Sequence, residues 1–103
     1  MARNNEIKSN KFQCVADSTI RNAKPMAVSL GELMNSGHGI EIDCSAVEQA
    51  DITFVQTLVS AQRSFASRDL PFVLARMSDI ATSTFQRAGV AQPGMASSEP
   101  SRD

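Results

Sequence analysis

A chain of 103 residues, 42% hydrophobic and 20% charged, has the make-up of one ordinary globular domain able to bury roughly 60–70% of its unfolded surface. Its net charge is −1 with lysines and arginines scattered, which gives no electrostatic footprint for nucleic acid or an anionic membrane. No apolar run nears the roughly 20 residues of a membrane helix, and the opening MARNNEIKSN lacks the apolar core of a signal peptide, so a cytoplasmic location is expected.

In chain order, KFQCVA (11–16) alternates polar and apolar residues, with Phe12, Cys14 and Ala16 on one parity, and predicts a strand. NNEIKS before it predicts a short partner strand turning at Ser9-Asn10. DSTIRNAK then brings capping residues ahead of PMAVSLGELM. Pro25 suits the first turn of a helix, where a missing amide hydrogen costs nothing. Ala23, Met26, Ala27, Leu30, Leu33 and Met34 follow at helical spacing, and Gly37 fits the position just past the end.

GIEIDC (39–44) predicts a strand with Ile40, Ile42 and Cys44 on one face and Glu41 and Asp43 on the other. From Asp51 the period changes. Phe54, Val55, Leu58, Val59, Ala61 and Phe65 mark the inner side of a helix, and Gln56, Thr57, Ser60, Arg63, Ser64 and Ser67 the outer side. LPFVLAR (70–76) is an apolar run of strand length. Ser78 caps DIATSTFQRA, with Ile80, Ala81, Thr84 and Phe85 expected inward, and Gly89-Val90 closes that helix as a left-handed glycine with an apolar follower. The domain is expected over 1–91, with 92–103 a disordered polar tail. Strands separated by helices imply an α/β fold: a small mixed, largely parallel sheet of about four strands, with three to four helices mainly on one face.

Little here resembles catalytic equipment. There is no G-x-S-x-G elbow, phosphate-cradling glycine loop or H-E-x-x-H, and no metal or cofactor is expected. His38 reads as a surface turn residue, although Asp43 or Glu41 offers it a carboxylate. Glu41 and Asp43 stand about 7 Å apart on one strand face, one expected in solvent and the other bonded to the next turn. Cys14 and Cys44 read as free buried thiols rather than a disulfide.

The junction at 51–53 is the most informative stretch. Asp51 is placed to cap the following helix, a contribution of about 1 kcal/mol. Thr53 becomes its second residue, where an added phosphate is tolerated by the helix dipole.

The stretch from Ile40 to Val90 resembles the STAS family, which comprises anti-sigma-factor antagonists and cytoplasmic domains of sulfate transporters. The Asp43-Cys44-Ser45 turn, the Asp51 helix start, PFVLA and the closing RAGV carry the resemblance in order and spacing. It implies a binding module rather than an enzyme. Its partner would be a kinase-like ATPase protein, an anti-sigma factor or chemotaxis kinase; the alternative is the ATPase of a lipid transporter, with the chain as its small STAS subunit. Family antagonists are switched by phosphorylation directly after the helix-start aspartate. Here that position is Ile52, which accepts no phosphate, and Thr53 is the possible acceptor beside it. The implied partner-binding surface comprises Asp43, Ser45, Asp51, Ile52, Thr53 and Gln56. Ile52 reads either as a standing apolar contact or as a residue folded inward. Exposed sheet edges permit a homodimer without requiring one.

Overall fold

In the computed structural model, which describes residues 9–92, the elements run β1 (Ser9–Gln13), β2 (Asp17–Ser18), α1 (Ile20–Met34), β3 (Gly39–Asp43), β4 (Gln49–Ala50), α2 (Ile52–Ser67), β5 (Phe72–Ala75) and α3 (Asp79–Ala88). β1, β3 and β5 form one sheet in that order, and β2 pairs with β4 in a second. Each of these pairings is parallel. The cause lies in the connections, because a helix between paired strands carries the chain back to the end it started from. The class is therefore the expected α/β, with five strands and three helices among the described residues.

The pleat sorts the side chains. Ile40, Ile42, Phe72 and Leu74 are buried and Phe12 half-buried, whereas Lys11 and Val73, at the alternate positions, are exposed. Two right-handed crossovers running in one direction across β1-β3-β5 put α1 and α2 on the same face. There α1 packs on α2, and α2 on α3. Phe54 meets Phe85 edge-on with ring centroids 5.8 Å apart, joining α2 to α3, and Phe65 meets Phe72 at 5.8 Å, joining α2 to β5. Full burial of each such side chain contributes about 1.5–3 kcal/mol. Phe54, Val55, Leu58 and Phe65 form the inner stripe of α2 in accord with its periodicity.

Several expectations are corrected. Ser9 and Asn10 belong to β1 rather than to a turn, and the remainder of the expected partner strand lies outside the described residues, as does the tail from 93 onward. The first strand ends at Gln13, leaving Val15 and Ala16 exposed. α1 begins at Ile20, so Pro25 sits inside the helix, in its second turn instead of its first. Pro25 is exposed, as is Arg21, whose carbonyl loses its helical donor to the ring and is left near water. Ile80 points outward at 41% exposure, while Ala81, Thr84 and Phe85 are buried as expected.

Two glycines fit their backbone. Gly89 takes φ 70° and lets the Val90 amide reach the Phe85 carbonyl at 3.4 Å. Gly39 is a close approach: a Cβ there would stand 2.9 Å from both the Cδ and the carbonyl oxygen of Pro71.

Candidate functional site at the helix starts

Because β1, β3 and β5 are parallel and each leads onward to a helix, all three helices begin at the same end of the molecule. That end holds most of the residues singled out by sequence. Asp43 closes β3, and its Oδ1 accepts from the Ser45 amide at 2.8 Å, the bond to the next turn anticipated for one of the two strand carboxylates. The Ser45 hydroxyl and amide, with help from the Arg76 charge, hold the Asp43 carboxyl below its ordinary pKa.

Asp51 does more than cap its own helix. Its Oδ1 accepts from the Thr53 amide at 3.0 Å and also from the Thr53 hydroxyl. Its Oδ2 accepts from the Ile20 amide at 3.0 Å, so one carboxylate ties the start of α2 to the start of α1. The Thr53 hydroxyl and then these backbone amides lower the Asp51 pKa.

The start of α1 repeats the same chemistry. Ala16-Asp17-Ser18-Thr19 parallels Ala50-Asp51-Ile52-Thr53. Asp17 Oδ1 accepts from the amide and hydroxyl of Thr19, as Asp51 does from Thr53. The β2–β4 pairing, Asp17 opposite Gln49 and Ser18 opposite Ala50, sets the two segments side by side. The Thr19 hydroxyl and amide lower the Asp17 pKa, and the nearby charge of Asp51 opposes the effect. Asp17, Thr19 and Ile20 were not among the residues expected at this surface. The repeated Ala-Asp-x-Thr spacing was the signal for them.

Of the sequence-predicted residues, Ser45 and Gln56 are exposed and Asp43, Asp51 and Thr53 half-buried. Ile52, the first residue of α2, is 51% exposed, so its side chain points outward and is not folded into the core. Gln56 also lines a groove of about 300 Å³ between α1 and α2, walled by small residues such as Gly31 and Ser60.

Elsewhere the chemistry is sparse. His38 is exposed in the turn before β3, its ring Nδ1 3.5 Å from the Ser36 hydroxyl. Five strand-like steps put Asp43 about 16 Å further along. Among the described residues, no three His, Cys, Asp or Glu side chains gather as a metal site, and no helix is long and apolar enough to cross a membrane. Cys14 and Cys44 are free and buried, with their sulfurs 3.8 Å apart. The neighbouring thiol and burial push the Cys14 pKa far up.

Comparison with known proteins gives one family: the sequence model described as "Mlab, STAS domain" matches residues 15–96. No curated protein matches the chain.

Proposed function

From the premise that this chain belongs to the STAS family, we propose that it is a non-enzymatic signalling module docking on a histidine-kinase-like ATPase, either an anti-sigma factor or a chemotaxis kinase. The surface is the start of α2, Asp51, Ile52, Thr53 and Gln56, with the adjoining Asp43–Ser45 turn. The observation that carries this reading is Ile52. An isoleucine half exposed at the first position of a capped helix costs apolar hydration and contributes little to the core. Removing such area from water stabilises a complex by about 25 cal/mol per Å².

Thr53 supports a contact without a phosphate switch. Its hydroxyl donates to Asp51, and a phosphate of charge about −1.5 to −2 would face that carboxylate at close range. Docking in this reading is a standing contact, and Thr53 serves the helix cap.

The test is a pull-down from the native host with the tagged chain, weighing the bait intact. A kinase-like ATPase bound to the wild-type chain and lost with Ile52→Asp, while the variant keeps its helical spectrum, is the expected result. Binding unchanged by Ile52→Asp overturns it. A bait carrying one phosphate at Thr53 overturns the unswitched form.

A second reading makes the chain a small subunit of a lipid-transport ATPase complex. The family membership supports it, since the STAS resemblance includes such subunits. A transporter ATPase in the same eluate would move the module to that class.

A further inference from the structure

We propose that the docking surface straddles two helix starts, with Ile20 and Ile52 as paired anchors, and that it receives a protein segment whose apolar side chains are flanked by lysine or arginine. This rests on the docking reading above and names the chemistry of the contact.

Ile20 is the first residue of α1 and Ile52 the first residue of α2. At 68% exposure, Ile20 is the most exposed large hydrophobic side chain among the described residues, and Ile52 stands at 51%. They do not project independently. Asp51 holds the Ile20 amide with one oxygen and the Thr53 amide with the other, and the β2–β4 pairing fixes the segments in register. A surface whose backbone is already bonded in place loses little freedom on binding, which favours affinity.

The occupant follows from area and charge. Ile20 and Ile52 expose on the order of 200 Å² between them, below the roughly 800 Å² per partner of a standard interface. Two copies meeting patch to patch would bury too little for a stable dimer, whereas a short segment of another protein is matched in size. Beside the isoleucines stand the carboxylates of Asp17 and Asp51, close enough for their charges to oppose one another, with the single cation of Arg21 near Asp17. The rim is therefore negative on balance, and a segment carrying cations beside its apolar residues complements it.

The experiment introduces a photo-crosslinking benzoylphenylalanine at position 20, 52 or 73 of the full chain in the native host. Val73, 45% exposed on the far face of the sheet, serves as the control. The expected result is that positions 20 and 52 link to neighbouring residues of one ATPase, in a stretch containing lysine or arginine, with at least about tenfold less product from position 73. Asp17→Asn, which removes a rim charge while keeping an oxygen to accept from Thr19, is expected to lower the yield at both positions several-fold with the helical spectrum unchanged. Linkage from position 52 alone overturns the two-anchor surface while leaving the docking reading intact. Linkage from 20 and 52 to one basic stretch of a protein that is not an ATPase keeps the surface and overturns the assigned partner class. A linked stretch without lysine or arginine, or a yield indifferent to Asp17→Asn, overturns the charge assignment. No linkage from either position overturns both readings.

Discussion

Asp51 is the residue on which most of the local order converges, since it serves the Thr53 amide and hydroxyl and the Ile20 amide together. A helix cap is worth about 1 kcal/mol, so Asp51→Ala is expected to cost about 2 kcal/mol in urea unfolding, whereas a single-helix cap would cost half of that. Its acid behaviour follows from the same bonds. Its folded-state pKa lies below the ordinary 3.8, so the native chain binds fewer protons than the unfolded one between those two values. Stability from Asp51 is thus complete above about pH 4 and is lost as pH falls through the folded-state value. Asp51→Asn is expected to flatten part of the drop in urea midpoint as pH falls below about 4, and Asp17 and Asp43 act in the same direction. Half of this residue's role was legible in the sequence. The cap on α2 is a local pattern, but the bond to Ile20 spans 31 positions, and no local pattern encodes it.

Among the elements, those with clean periodicity and terminal signals were read well. Ser78 accepts from the Ala81 amide at 3.1 Å and Gly89 is left-handed, so both ends of α3 stand where the sequence put them. α1 shows why the same rules failed five residues away. Thr19 makes no side-chain cap bond, the cap comes from Asp51, and Pro25 is accommodated in the second turn rather than starting the helix. β2 and β4 were invisible because two residues show no period. Packing between elements yields a further prediction at Gly39, where β3 passes against Pro71 at the entrance of β5. A methyl group there meets backbone as well as the ring, so Gly39→Ala is expected to cost about 1–3 kcal/mol by forcing the strands apart. A urea midpoint within error of wild type would show that the strand shifts freely.

At the scale of the whole molecule, parallel pairing gives the chain two unlike ends, and the helix-start end gathers the carboxylates and exposed isoleucines on which the proposed contact rests. The sheet order itself was legible only as a class, because pairing depends on which helices can stack on one face rather than on any strand alone. The thiol pair inside that sheet has its own use. Cys14 and Cys44 sit opposite one another at the ends of β1 and β3, their sulfurs 3.8 Å apart and both buried. Each shields the other, so a maleimide reaches neither until those strands part, and then it reaches both. Labelling under native conditions is expected to yield molecules with no adduct or two, read directly by intact mass, and a large singly labelled population would show that one strand end frays alone. The rate at which the doubly labelled species accumulates is then a stopwatch for the opening of the sheet, built into the chain without any added probe.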